Sequence, residues 1–377
     1  MTSYLTTSSP RFSAAPAMAP RYQDLLHRLT TAARTSIGFP CAVDIDYRPL
    51  GPLLGVLLNN LGDPQVDGIQ PMHAKDIERD VLDFFAALFR APAGWSGYVT
   101  SGGTEGTHYG LWLGRTRLPN AVAFHSAAAH YSVGKAEHLL GLPSVTVATL
   151  TNGEIDYADL HRQAARFRGR PAIVTANIGT TMTEAVDDLH RIHQALDDAG
   201  IIHRYVHADA ALAGVPLAVT ADRPAFDLAD GADSISISGH KFFGTPLVCG
   251  VVIVRRGIDE PPAAIRYTGA PDTSISGSRT GLGAVMLAHA LDVLGPSGLS
   301  ERTRQARAVA AYTCRCLQQI GWPHWRNRDA FTVMLREPPA SVRVRWRLPS
   351  SNGWSHIICV PGITTHQIDD FISDLDA

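Results

Sequence analysis

Two periods of apolar residues run through this chain. Ser234-Ile-Ser-Ile-Ser238 alternates polar and apolar positions with period two and predicts a strand. It runs into Gly239, where the backbone can turn freely, and then into His240 and Lys241. Gly244 and Pro246 break the chain before a second apolar run at 247–254. One lysine is thus held on a short turn between two buried strands, a costly place for a charge that is neither paired nor modified. The same reading predicts strands at 98–100, 121–124, 145–148, 172–176, 205–208, 322–335 and 355–360. Helical spacing predicts helices at 21–34, 76–89, 105–115, 156–167, 188–199, 281–317 and 365–375, and a short one at 53–61. In the 76–89 helix, Ile77, Val81, Leu82, Phe85, Leu88 and Phe89 share a face. Pro338, Pro339, Pro349 and Asn352-Gly353 mark loops near the C-terminus. Strands alternating with helices argue an α/β fold, a mostly parallel sheet covered by helices, whose sites form beyond the carboxyl ends of the strands.

Two more stretches lie at such ends. Tyr205-Val-His-Ala-Asp-Ala-Ala-Leu212 places Asp209 at the end of a short strand, 32 residues before Lys241 (241 − 209). Thr100-Ser-Gly-Gly-Thr-Glu-Gly-Thr107 is a glycine-rich turn opening a helix, and no Gly-Lys-Ser/Thr follows that would make it a Walker loop. An amine, a carboxylate and a helix N-terminus together supply what pyridoxal phosphate needs: an imine anchor, a partner for the pyridine nitrogen and a seat for the phosphate. Each has a plainer reading. A lysine can sit on a surface hairpin, an aspartate after a strand can cap a helix, and a lone Gly-Gly turn is weak by itself.

With these residues the chain resembles the group II pyridoxal-phosphate decarboxylases, in the short branch that includes bacterial histidine decarboxylases and plant serine decarboxylases. The resemblance rests on Gly97-Tyr-Val-Thr-Ser-Gly-Gly-Thr-Glu-Gly106, His130-Tyr-Ser-Val133, Gly153-Glu-Ile-Asp156, Ala176-Asn-Ile-Gly-Thr-Thr181, His207-Ala-Asp-Ala-Ala211, Ser238-Gly-His-Lys241 and Ser276-Gly-Ser-Arg279. It covers roughly 35–377 and is far more specific for fold and cofactor than for substrate. It implies fold type I of the pyridoxal-phosphate enzymes, with a seven-stranded-type sheet, helices on both faces and a small C-terminal α+β domain. The division expected is a disordered arm at 1–20, a helical segment at 21–60 that packs on a partner subunit, a large domain at 61–285 and a small one at 286–377.

The resemblance also assigns roles. Lys241 anchors the cofactor as an imine, Asp209 holds the pyridine nitrogen, and His130 stacks on the ring, although a lone histidine is more often structural. Gly102, Gly103 and Thr104 hold the phosphate, with hydrogen bonds added by Ser238 and His240. Thr180 or Thr181 places a hydroxyl near the ring's 3-oxygen, the choice between them being open. Tyr267, in the Gly-, Pro- and Ser-rich stretch 267–279, is the expected proton donor to Cα, and equally a tyrosine packed at a strand end. Ser278 or Arg279 would reach the phosphate of a neighbouring subunit, so a homodimer with shared sites is expected.

The reaction implied is α-decarboxylation of an L-amino acid, with histidine the first candidate. Ala330 and Phe331, and Pro71 and Met72 in the 67–74 segment, depart from the family pattern toward apolar character. They keep an aliphatic amino acid such as valine or leucine, or serine, as alternatives. Other fold-type-I chemistry is the rival class.

Composition narrows the partners. A net charge of −2 gives no electrostatic reason to expect nucleic acid or an anionic membrane. Five scattered cysteines argue a reducing compartment, and neither a signal-peptide core nor a membrane-length apolar run stands out, so cytoplasmic residence is expected. His190 and His193 lack an acidic or cysteine partner, and no metal is expected.

Overall fold

A computed structural model describes residues 18–256 and 263–376. Residues 1–17, most of the expected arm, lie outside them. Seven strands form the main sheet: β1 (Ser96–Thr100), β2 (Val122–Ser126), β3 (Ser144–Val147), β4 (Ala172–Asn177), β5 (Arg204–Asp209), β6 (Ser234–Ser238) and β7 (Gly250–Val254). Their order is β1-β7-β6-β5-β4-β2-β3. Only β7 runs against the rest, pairing antiparallel with both β1 and β6. The carboxyl ends of β1, β2, β4, β5 and β6 therefore share one edge of the sheet.

The helices are α1 (Pro20–Ala33), α2 (Lys75–Leu88), α3 (Gly103–Arg117), α4 (Tyr131–Leu139), α5 (Tyr157–Ala165), α6 (Leu189–Asp198), α7 (Gly214–Ala218), α8 (Gly239–Phe242), α9 (Gly281–Gln319), α10 (Ala340–Trp346) and α11 (Thr365–Asp376). Strand side chains alternate between faces, and two cores divide along that alternation. Val122, Phe124, Val251 and Ile253 face one core with α2, α5, α6 and the start of α9. Ala121, Ala123, Val252 and Val254 face the other, with Tyr109, Leu111 and Leu113 of α3.

Helix α3 carries a glycine stripe that brings it close to the sheet. A Cβ on Gly106 would lie 2.5 Å from the Ser236 Cβ, and one on Gly110 2.3 Å from the His207 Nδ1. No larger residue fits, and the close approach carries the helix N-terminus down to the strand ends.

A second, antiparallel sheet has the order β10-β11-β9-β8, from β8 (His324–Trp325), β9 (Thr332–Arg336), β10 (Ser350–Ser351) and β11 (Trp354–Ile358). Its core includes Val333, Leu335, Trp346, Ile357, Phe371 and, from the N-terminal segment, Ile37. Helix α9 joins the two cores. Ala284, Leu287 and Ala290 enter the first, Ala310 and Leu317 the second. By length and composition α9 is apolar enough to cross a bilayer, contrary to the expectation from sequence, but it breaks at Gly295 (φ 63°) before Pro296.

Several predicted elements are redrawn. The helix expected at 53–61 is instead a 3₁₀ helix, Arg48–Gly55, which Pro52 keeps from becoming a regular α-helix. The strand at 322–335 is two strands, with Asp329 at φ 60° in the turn between them. Helix α10 sits where prolines suggested loop. Pro339 caps it, and Val342 and Trp346 are buried one turn apart. Lys241 lies on the one-turn helix α8 instead of an open turn.

Candidate active site

A cavity of about 660 Å³ opens at the shared carboxyl edge. Its floor comes from strand ends: Ser101 to Glu105 after β1, His130 after β2, Asn177 to Met182 after β4, Asp209 after β5, and Ser238, His240 and Lys241 after β6. Its outer wall comes from far away in sequence, as Gly38, Phe39 and Pro40, and as Pro349, His356 and Ile358 of the second sheet.

Lys241 lines this cavity, and its Nζ makes no hydrogen bond or ion pair among the described residues. Burial lowers its pKa from the ordinary 10.5, and the Asp209 carboxylate pulls partly the other way. Such an amine is readily deprotonated, as a nucleophile must be. Asp209 accepts a 3.3 Å bond from the Ala211 N–H. It lies level with Asn177 in the β4–β5 register, and Asn177 Nδ2 is tied to Asp187 (2.8 Å) and Ser126 (3.1 Å). His130 caps α4, its Nδ1 accepting from the Ser132 N–H at 3.3 Å. The Ser132 hydroxyl lies 2.7 Å from the same nitrogen, so both contacts of the ring fall on Nδ1. Burial, with Lys241 and Lys135, lowers its pKa against the opposing pull of Asp209.

The glycine-rich turn is shaped for an anion. Gly102 has φ +141°, and α3 begins at Gly103. The Ser101 N–H is taken by Glu105 (2.7 Å) and the Gly102 N–H by Thr100 Oγ1 (3.3 Å). The first-turn N–H groups beyond them are free to point at a ligand at the positive end of α3. The Nδ1 of His240 is buried without a partner. A Cβ on Gly103 would come 2.5 Å from Ser238 Oγ, so glycine keeps open the space between the turn and β6. An unpartnered amine, a carboxylate on the neighbouring strand and an anion cradle are the donor set pyridoxal phosphate requires, and the residues fit it.

Residues 75–312 match the family described as the pyridoxal-dependent decarboxylase conserved domain. The chain is a pyridoxal-dependent decarboxylase. It is 43% identical to a histidine decarboxylase of Mesorhizobium japonicum, over 94% of this chain and 96% of that protein. It is 36% identical to serine decarboxylase 3 of Oryza sativa subsp. japonica, over 90% of this chain and 78% of that one. Among solved structures it resembles L-methionine decarboxylase from Streptomyces sp. 590, with a TM-score of 0.84, 25% identity and 94% of each chain covered. The decarboxylase is thus a carboxy-lyase of fold type I with pyridoxal phosphate as cofactor.

Of the residues expected at the site, the decarboxylase brings Lys241, Asp209, His130, Gly102, Gly103, Thr104, Thr180, Thr181, Ser238 and His240 to one cavity. Two others lie elsewhere. Arg279 is buried in an ion pair with Glu78 and also donates to the Gly62 (2.8 Å) and Val99 (3.3 Å) carbonyls. These bonds use both terminal nitrogens of the guanidinium and leave its Nε buried without a partner, and Arg279 does not line the cavity. Tyr267 is 77% exposed on a turn and does not line the cavity. The threonine pair is also separated. Thr180 Oγ1 is engaged by Thr183 (2.8 Å) and by the Ala185 N–H (3.0 Å), which leaves the Thr181 hydroxyl uncommitted among the described residues.

Ala330 and Phe331 do not reach the cavity. Phe331 is fully buried, stacked on Phe242 with ring centroids 6.2 Å apart. Glu105, His108, Asn177, Leu212 and His356 line the cavity without having been expected there. Glu105 and Asn177 lie inside the family motifs, but nothing local marks His356, whose Nδ1 and Nε2 sit 2.8 and 3.1 Å from the Met182 and Gly38 carbonyl oxygens. Among the described residues no cluster of three potential metal ligands occurs.

The cradle makes a direct prediction. Gly103→Ala should weaken cofactor binding by about ten- to a hundredfold, because a displaced turn costs at least one charged hydrogen bond. Adding Ser238→Ala removes the clashing Oγ along with that residue's own phosphate bond, so the two changes together should cost less than the sum of their separate costs, read by absorbance titration of both single variants and the double with pyridoxal phosphate. Additive costs would show that the cradle is not limited by that contact.

Proposed function

We propose that this decarboxylase converts L-histidine to histamine in the cavity around Lys241. The observation that carries the reading is the charge inventory of the cavity, taken with the histidine decarboxylases among the relatives. Its carboxylates are Asp209 and Glu105. The first is near enough to Lys241 to act on its charge and would be taken up by the cofactor, and the second is fully hydrogen-bonded. No arginine is among its lining residues. A cationic or anionic substrate side chain would therefore enter without a countercharge, at a desolvation cost that a neutral one avoids. Phe39, Met182, Leu212 and Ile358 offer apolar surface, and His108, whose Nε2 is buried without a partner, adds a polar edge that suits a neutral heteroaromatic ring.

Bound pyridoxal phosphate supplies an electron-poor ring that can take up the pair released when the Cα–carboxylate bond breaks. Lys241 would provide the amine that holds the cofactor. Asp209 holds a proton on the ring nitrogen by opposite-charge attraction. His130, which lines the cavity, would hold the cofactor's ring in place. Gly102, Gly103, Thr104, Ser238 and His240 would bind the phosphate, and Thr181, whose hydroxyl is uncommitted, would be the threonine that reaches the 3-oxygen. Tyr267 lies outside this chain's cavity, and as proton donor it would be brought in by movement of its loop or across a subunit contact. The second route agrees with a homodimer in which the exposed Leu25, Leu26 and Leu29 of α1 and the 38–75 segment meet a second copy in the cytoplasm.

A second reading is an aliphatic or thioether amino acid, favoured by the apolar outer wall and by the likeness to a methionine decarboxylase. Purified protein loaded with pyridoxal phosphate should be given each common L-amino acid and its products identified by mass spectrometry. Histamine as the main amine is expected. Another amine would keep the reaction and replace the substrate, and keto acids or aldehydes without amine would overturn the proposal.

A further inference from the structure

Glu105 stands in the first turn of α3, directly after the phosphate turn, and its carboxylate accepts four hydrogen bonds. Oε2 takes the Ser101 N–H (2.7 Å) and hydroxyl (2.6 Å). Oε1 takes the Tyr98 hydroxyl (3.0 Å) and the Ser276 hydroxyl (2.7 Å). The first pair shapes the phosphate turn. The Ser276 bond comes from the other side, 171 residues along the chain.

Ser276 belongs to a loop that is itself one unit with the 59–69 segment. Asn60 N–H donates to the Arg279 carbonyl (3.0 Å), Gly62 to Gly277 (3.1 Å), Asp63 to Pro271 (2.8 Å) and Ile69 to Thr268 (2.9 Å), and Thr273 Oγ1 donates to Asp63 (2.8 Å). Of this unit only Ile275 and Ser276 reach the cavity, and both touch the same spot, since the Ile275 N–H lies 3.4 Å from the Tyr98 hydroxyl oxygen. Ile275 and Ser276 are themselves exposed in the single chain, so little packing holds the loop tip there.

We propose that Glu105 is a positioning residue that latches the loop before α9 onto the phosphate turn, so that the seating of the loop and the hold on the cofactor are set by one carboxylate. An ionised carboxylate has about four acceptor sites and no donor, and all four are used here. An amide in its place can keep its oxygen on the Ser101 N–H and hydroxyl, but its NH2 must then donate to the Tyr98 and Ser276 hydroxyls, so charge-assisted bonds on both sides of the latch become weaker neutral ones. Burial pushes the Glu105 carboxyl up, but the bonds from Ser101, Ser276 and Tyr98 outweigh it and hold it below its usual range, so the latch stays charged at neutral pH.

The inference rests on the cavity being the cofactor site, but not on which amino acid is decarboxylated. Its test uses Glu105→Gln, Ser276→Ala and Ser276→Thr in the full chain. Hydrogen exchange over 271–279, measured without cofactor, should rise about tenfold in the Gln and Ala variants and return toward wild type in Thr, the size expected for one lost charged hydrogen bond. Absorbance titration should show weaker pyridoxal-phosphate binding in Glu105→Gln, by about tenfold, and a near-normal affinity in Ser276→Ala, whose Ser101 arm is intact. KM for the turned-over amino acid should rise in both and recover in Ser276→Thr. Unchanged exchange in Ser276→Ala, or unchanged cofactor affinity in Glu105→Gln, overturns the latch. If wild type itself failed to bind pyridoxal phosphate, the proposed function would fall, and the exchange data would still decide the latch.

Discussion

Lys241→Ala should remove essentially all turnover, on the order of 10⁴-fold or more in kcat, as loss of a covalent catalytic group generally does. The folded scaffold should survive the change, because Lys241 makes no side-chain hydrogen bond among the described residues. The same substitution should alter the pH dependence of stability in the cofactor-free protein. Burial lowers the Lys241 pKa below 10.5 in the folded chain. Between the folded value and 10.5 the unfolded chain therefore binds more protons at this position, and stability rises with pH across that interval. Below it, the buried lysine subtracts from stability by having to be charged or to give up its proton. Lys241→Ala should flatten that slope and raise the melting temperature of the cofactor-free protein near neutral pH. Thermal melts over a pH series check this. A variant that melts lower than wild type at neutral pH would mean that the lysine makes stabilising contacts that the structure does not show.

Asp209→Asn is the second large effect. The asparagine oxygen can keep the 3.3 Å bond from the Ala211 N–H, so the loop should hold its shape while the charge is lost. Without an anion beside it the pyridine nitrogen loses the partner that keeps it protonated, and kcat should fall by about 10²- to 10⁴-fold with a much smaller change in KM. The loss should also reach two other groups. Asp209 raises the pKa of both Lys241 and His130 against their burial, so both should titrate lower still in the variant. NMR titration of the His130 ring in the cofactor-free protein reads this directly. A variant with near-wild-type kcat would remove Asp209 from the proposed role.

Much of this architecture is legible in the order of residues along the chain. Short apolar runs and, for β6, strict alternation of Ser and Ile locate all seven strands of the main sheet, since most of them are buried on both faces. The Gly-Gly turn, Asp209 and Lys241 are legible because each directly follows such a strand and carries its chemistry in a local motif. The glycine stripe of α3 is in plain view as Gly106, Gly110 and Gly114, but its meaning depends on what lies opposite, and His207 and Ser236 are about a hundred residues away. The same limit explains Arg279. Its motif is intact, yet the deciding fact is Glu78, 201 residues earlier. Thr180 and Thr181 are equivalent in sequence and are separated only by Thr183 and Ala185 folding back on one of them.

The strands of the main sheet, the longer helices and the cofactor thus follow from the chain alone, since these depend on neighbours within a turn or two, whereas the short helices α4, α7, α8 and α10 do not. The outer wall of the cavity, the partner of Arg279, the attachment of Ser276 to Glu105 and the removal of Phe331 from the site arise only when the chain has folded. Those contacts join segments from many tens to more than three hundred residues apart. Loop closure over such distances leaves no periodic trace in the chain, because its cost grows only slowly with separation and many partners are nearly equivalent until the cores have packed.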